Sequence, residues 1–156
     1  MKKILMVCLG NICRSPLAEG VLQEKLKKYE QDAFVDSAGI IGHHAGESPD
    51  PRSMAIGHKY GIDISSQLGR QINQNDFETF HEIYAMDQSV HEQLLMLAQS
   101  SHQKEKVFLF MESKYPGSGK EVPDPYFGGP EGFDIIYHMI DEACEVIALR
   151  LVNESK

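Results

Sequence analysis

Apolar and polar positions follow two rhythms along this chain, and the switches between them outline a fold. The segment Lys3–Cys8 is continuously apolar at Ile4, Leu5, Met6 and Val7, which suits a central parallel strand buried on both faces. Leu17, Ala18, Val21, Leu22, Leu26 and Tyr29 then recur at helical spacing, leaving Lys25, Lys27 and Lys28 on a solvated face. Pro16 suits the first turn of that helix, and Ser15 suits its N-cap. A second strand is expected from Ala33 to Ser37, ending in Ala38-Gly39, before a loop over 40–52 with Gly42, Gly46, Pro49 and Pro51. A helix follows from about Pro51 to Tyr60. Glu82–Met86 and Lys106–Met111 read as the third and fourth strands, with a helix from Ser89 to Gln99 between them. Residues 113–131 are rich in Gly and Pro. The last helix, from Gly132 to Val152, carries Phe133, Ile136, Ile140, Ala143, Ile147 and Leu151 along one stripe. Strands alternating with helices predict an α/β fold with a four-stranded parallel sheet and helices on both faces.

A chain of 156 residues is expected to form one domain spanning 1–156, burying roughly two thirds of its unfolded surface. Its net charge of −8 argues against a nucleic-acid partner, whose protein surface should be basic. Any anion site must therefore work through a local field. No apolar run reaches membrane-spanning length, and the short one after Met1-Lys2-Lys3 is broken by Gly10 and Asn11, unlike a signal peptide. Three cysteines, an odd number without a secretion signal, read as free thiols, and a cytoplasmic location is expected.

The loop Cys8-Leu9-Gly10-Asn11-Ile12-Cys13-Arg14-Ser15 changes the picture most. It joins the first strand to the first helix, where sheets of this kind bind ligands beyond the strand ends. No proline falls between Cys8 and Arg14, so every peptide from Leu9 to Arg14 keeps an N–H to donate. Gly10 and Asn11 are the residue types that most readily enter left-handed backbone, which a loop with inward amides needs. Such nests bind anions, and the helix N-terminus adds to the field. An ordinary thiol is mostly protonated at neutral pH, and only the thiolate attacks well. The amide ring, the helix end, Arg14 and a hydroxyl from Ser15 are each expected to favour a Cys8 thiolate. Arg14 suits bidentate capture of phosphate oxygens. Attack by Cys8 would give a cysteinyl-phosphate. A leaving phenolate then needs a proton, and Asp124, held between Pro123 and Pro125, is the candidate general acid and later base. Tyr126 and Phe127 offer rings to flank an aromatic substrate.

The octet with Pro16-Leu17-Ala18-Glu19, and Asp124-Pro125-Tyr126 far downstream, resembles the low-molecular-weight protein tyrosine phosphatase family. Asp36-Ser37-Ala38-Gly39, Pro49-Asp50-Pro51-Arg52, Arg70-Gln71 and Met86-Asp87 match family positions in order, so the resemblance covers nearly the whole chain. The resemblance implies a three-layer α/β/α fold with flavodoxin-like strand order 2-1-3-4. It implies hydrolysis of phosphotyrosine on proteins, with Cys8 as nucleophile, Arg14 as phosphate clamp and Asp124 as general acid. Leu9, Gly10, Asn11, Ile12, Cys13, Arg14 and Ser15 would bind the phosphate. Asn11 and Ser15 would hold the loop and assist the thiol, and Asp87 would brace the site. Cys13 matches a cysteine that can pair with the nucleophile on oxidation, although a purely structural role stays open. No metal and no cofactor are implied. The expected partners are phosphotyrosine proteins, with inorganic phosphate as product, no nucleic acid and no membrane; a monomer or weak dimer is expected.

Three positions depart from the family pattern. His43, within Gly42-His43-His44, stands on the pocket wall where many members carry Trp or Tyr. Gln67 stands where histidine is common, and Phe127 replaces a second tyrosine. Two enzymes on the same scaffold are alternatives. A protein-arginine phosphatase carries a smaller polar residue where this chain has Ile12. An arsenate reductase needs two further cysteines, and only Cys144, near the apolar stripe of the last helix, lies beyond the loop. A non-catalytic phosphate-binding module would be expected to lose Cys8 or Asp124, and both are present.

Overall fold

The Ile4–Val7 run lies at the centre of the sheet. The computed structural model describes residues 1–126 and 129–156. In chain order it contains β1 (Lys2–Cys8), α1 (Arg14–Lys28), β2 (Ala33–Gly39), α2 (Pro51–Lys59), α3 (Asp76–Thr79), β3 (Glu82–Ala85), α4 (Gln88–Leu97), α5 (Ser101–Lys104), β4 (Val107–Leu109) and α6 (Pro130–Glu154). The strands pair in the order β2-β1-β3-β4, all parallel, as the sequence leads one to expect. Period-two alternation splits β1 between two cores. Ile4, Met6 and Cys8 face Leu17, Val21, Leu22, Ile136 and Ile140 of α1 and α6, while Leu5 and Val7 face Phe77, Val90 and Leu94 of α3 and α4. Each fully buried Leu or Ile contributes roughly 1.5–3 kcal/mol, so packing rather than helix propensity holds these helices in place.

From β1 the chain runs to the edge strand β2, then crosses back to β3. Strand order thus reverses at β1, and the segments following β1 and β3 meet beyond the carboxyl ends of the sheet. The register places Cys8 beside Gly39 and Val7 beside Ala85, so three strand ends converge there.

Several local expectations need correction. β4 stops at Leu109, and Phe110–Ser113 forms a 3-10 turn. Phe110 and Met111 are nonetheless fully buried, so their apolarity marks burial, not strand. Ser15 is not the helix cap; Cys13 occupies that position without a side-chain cap bond, and Ser15 sits in the first turn. Lys25 is not simply solvated, because its Nζ reaches Asp141 at 2.9 Å and Glu145 at 3.0 Å on α6, while Lys27 and Lys28 are exposed. The short helices α3 and α5 lack any periodic apolar signal. Among the described residues no helix is long and apolar enough to cross a membrane.

Candidate active site

β1 ends at Cys8 and α1 starts at Arg14, so Leu9–Cys13 must turn the chain within five residues. Asn11 does this in left-handed backbone, with φ of 60°. Gly10, expected to share that role, does not; its missing side chain instead makes room for His44, whose Cδ2 would lie 3.2 Å from an added Cβ. A Cβ on Gly39 would lie 2.9 Å from the Leu9 carbonyl oxygen and from the Gly10 carbonyl carbon, so only glycine lets β2 end beneath the loop. Among the described residues, none of the N–H groups of Leu9–Cys13 donates to another protein group. Unused donors on a loop that opens a helix make a site for an anion.

Beneath the loop a chain of polar side chains fixes Cys8. Asn11 is buried, and its amide uses both donors and its oxygen: Nδ2 donates to Ser15 Oγ at 2.7 Å and Ser37 Oγ at 3.0 Å, and Oδ1 accepts from Arg70 N at 3.0 Å. Ser15 Oγ therefore accepts from Asn11, which leaves its own hydrogen for the Cys8 sulfur 3.0 Å away. Ser37 Oγ likewise turns its hydrogen outward, to Glu19 Oε1 at 2.7 Å. Glu19 is buried, and burial is the main reason its carboxyl rises from the usual 4.5 to about 7, against the Ser37 hydrogen bond and with help from Asp36. The folded protein thus binds this proton more tightly than the unfolded chain does. The stability it contributes is complete below about pH 4.5 and is lost as pH rises through about 7, at up to roughly 1.4 kcal/mol per unit. Glu19→Gln is expected to flatten that fall. Urea unfolding of both proteins between about pH 5 and about pH 8 measures it; parallel stability curves would contradict the assignment.

Arg14 is held from one side. Its side chain is 3% exposed, and Nη1 donates to Asp87 Oδ2 at 2.7 Å and to the Val122 carbonyl at 2.9 Å. Asp87 also caps α4, its Oδ1 accepting from Val90 N at 2.8 Å, so one carboxylate ties the end of β3 to the guanidinium. Burial works against the charge of Arg14, but Cys8 and the hydrogen bond to Asp87 outweigh it and keep the guanidinium protonated. Val122 N donates to the Met86 carbonyl at 2.8 Å, which brings the following segment over the same strand end. Asp124 then stands at the rim, 42% exposed, with Oδ2 3.7 Å from Arg14 Nη2.

The resulting cavity of about 280 Å³ has Cys8, Leu9, Gly10, Ile12, Cys13 and Arg14 as its floor. Ile41, His43, His44, Asp124 and Tyr126 form its walls. Cys8 and Arg14, from the two ends of the loop, and Asp124, from a distant segment, thus reach one cavity, and His43 and Tyr126 lie along its wall. Phe127 lies outside the described residues. Ile41 and His44 were not expected on the wall; no local pattern marks them, because the 40–52 loop folds over the cavity only in three dimensions. Burial pushes the Cys13 thiol up to about 12, with Asp50 and Cys8 adding to it, so Cys13 stays protonated. Cys144 is fully buried on α6, against the Ala18 carbonyl. Among the described residues no group of three or more His, Cys, Asp or Glu side chains is arranged to hold a metal ion.

The chain is similar to known proteins in sequence and fold. The family described as low molecular weight phosphotyrosine protein phosphatase matches residues 3–156. A low molecular weight phosphotyrosine protein phosphatase of Schizosaccharomyces pombe is 40% identical over 138 residues, covering 86% of this chain and 87% of its own length. The crystal structure of a protein tyrosine phosphatase from Entamoeba histolytica, with Hepes in the active site, superposes with a TM-score of 0.92 at 33% identity, covering 100% of both chains. A Drosophila arginine phosphatase superposes with a TM-score of 0.88 at 34% identity, covering 96% of this chain and 97% of that one.

Proposed function

The chain belongs to the low molecular weight phosphotyrosine protein phosphatase family, and from that we propose that it hydrolyses phosphotyrosine on proteins through a cysteinyl-phosphate on Cys8. The observation that carries this reading is the convergence of a thiol, a buried guanidinium and a rim carboxyl on one cavity. The substrate phosphate sits in the loop, its oxygens facing the N–H groups of Leu9–Cys13 and the unshared edge of Arg14. Cys8 attacks phosphorus as the thiolate, with the Ser15 hydroxyl donating to its sulfur. The bond to the tyrosyl oxygen breaks, and Asp124 gives that oxygen its proton. The resulting Asp124 carboxylate then takes a proton from water, which attacks the cysteinyl-phosphate and releases inorganic phosphate. Asp87 keeps Arg14 oriented throughout, and Asn11 keeps the loop open. Three unpaired thiols suit action in a reducing compartment. Under peroxide the same proposal has the Cys8 thiolate oxidised first, to a sulfenic acid that condenses with the Cys13 thiol to a reversible disulfide and water.

A second reading has specific support. The Drosophila arginine phosphatase shares the scaffold, and the exposed His43 leaves the wall more open than a closed aromatic slot. Ile12 in the floor argues the other way, since a branched apolar side chain packs against an aryl ring and offers nothing to a guanidinium. A relay of the arsenate-reductase kind is disfavoured, because Cys144 is sealed in the core. The deciding experiment compares phosphotyrosine and phosphoarginine peptides of one sequence in EDTA. The expected kcat/KM ratio favours phosphotyrosine by roughly ten- to a hundredfold. Faster release from arginine would overturn the substrate assignment.

A further inference from the structure

Arg52 spans the gap between the phosphate loop and the acid segment, and the chemistry above makes no use of it. On one side it forms a two-pronged pair with Asp50, Nε to Oδ1 at 3.1 Å and Nη2 to Oδ2 at 3.0 Å. Asp50 is the N-cap of α2, accepting from Arg52 N at 2.8 Å, and its own N–H donates to the Ile12 carbonyl at 2.8 Å. One residue beyond Arg52, buried Ser53 donates to the Cys13 carbonyl at 2.8 Å. The first turn of α2 is therefore stapled to the phosphate loop, and Arg52 projects from that staple. On its other side the guanidinium lies 5.3 Å from the centroid of the Tyr126 ring and 4.8 Å from that of Phe133, near the start of α6. A planar cation can stack on both rings, at roughly 0.5–2 kcal/mol each.

Tyr126 is the lever. Its N–H donates to Asp124 Oδ1 at 3.0 Å, so the Tyr126 backbone and the Asp124 carboxyl move as one unit. Asp124, at 42% exposed, stands at the rim; among the described residues Oδ2 has the longer 3.7 Å approach to Arg14. We propose that Arg52 is a positioning residue for catalysis, holding the Tyr126 ring so that Asp124 stays aimed into the cavity above the phosphate loop. The proposal rests on the reading of Asp124 as general acid. It assigns Arg52 no contact with substrate, and it makes the Asp50–Arg52 pair the strut between nucleophile loop and acid loop.

The test is a series of aryl phosphates with leaving groups from dinitrophenol to phenol, scored by kcat/KM, which reports the steps through phosphoryl transfer. For Arg52→Ala, kcat/KM on phenyl phosphate is expected to fall roughly 10- to 100-fold, the cost of misplacing a catalytic group by about an ångström, with little change on dinitrophenyl phosphate. In an Asp124→Ala background the same substitution should cause no further loss. Arg52→Lys keeps the ion pair but not the planar stack, so it should show the same dependence in lesser degree. That variant carries the test should Arg52→Ala fail to fold. Equal losses on every substrate would mean that Arg52 serves substrate binding or the loop itself, and no loss would mean that the strut is idle; either overturns the proposal. If Asp124→Ala itself shows no dependence on the leaving group, the reading of Asp124 fails first. If Asp124→Ala shows it and Arg52→Ala does not, only the positioning role fails.

Discussion

Cys8→Ser is expected to abolish turnover, lowering kcat by at least about 10⁴-fold on p-nitrophenyl phosphate in EDTA. The substitution exchanges a polarisable sulfur for a hydroxyl that no base in the loop can ionise. Ser15, the side chain 3.0 Å from residue 8, is a neutral hydroxyl and no base for a new serine there. The anion site itself should survive. The N–H groups of Leu9–Cys13 and the Asp87-braced guanidinium of Arg14 do not depend on the sulfur. Inorganic phosphate binding by calorimetry is therefore expected to stay close to wild type while turnover disappears. A serine variant that turns over like wild type would remove Cys8 from the chemistry.

Asp124→Ala is expected to separate substrates rather than silence them all. General acid catalysis contributes about 10²- to 10⁴-fold, and it matters most where the departing oxygen is basic. The loss in kcat/KM should therefore be largest on phenyl phosphate and phosphotyrosine, and small on dinitrophenyl phosphate. Asp124 is exposed at the rim and carries no part of the core, so the variant should fold normally. A uniform loss across leaving groups would show that the carboxyl acts on binding and not on proton transfer.

Contiguous chemistry was legible in the sequence, and chemistry assembled from distant segments was legible only in part. The sheet and the phosphate loop could be read because β1 is an unbroken apolar run ending at Cys8, and five further residues lead to Arg14. Asp124 was visible through its flanking prolines and its place in the family pattern. The distance from Arg14 to Asp124 and the Met86–Val122 bond depend on how β3 meets the later loop, and the Asp87 brace, expected from the resemblance alone, on how β3 lies beside β1. No local spacing encodes that meeting. Glu19 and Ser37 could be quoted as part of a pattern, but their link to Cys8 runs through Asn11 and exists only in the fold. Gly10 shows a subtler failure. The residue type was rightly singled out, yet what it does there is leave space beside His44, not make a left-handed turn. Arg52 is the extreme case, since its value lies in two rings that are 74 and 81 positions away.

Trapping the phosphoryl group during turnover tests the central claim most directly. Wild type and Asp124→Ala would be mixed with p-nitrophenyl phosphate, quenched into denaturant within milliseconds, digested, and analysed by mass spectrometry. The expected result is one phosphoryl group on the peptide that contains Cys8. It should build up further when Asp124 can no longer activate water, and it should be absent from Cys8→Ser. Full turnover with no phosphorylated protein at any time point, or phosphate found on a residue other than Cys8, would contradict it.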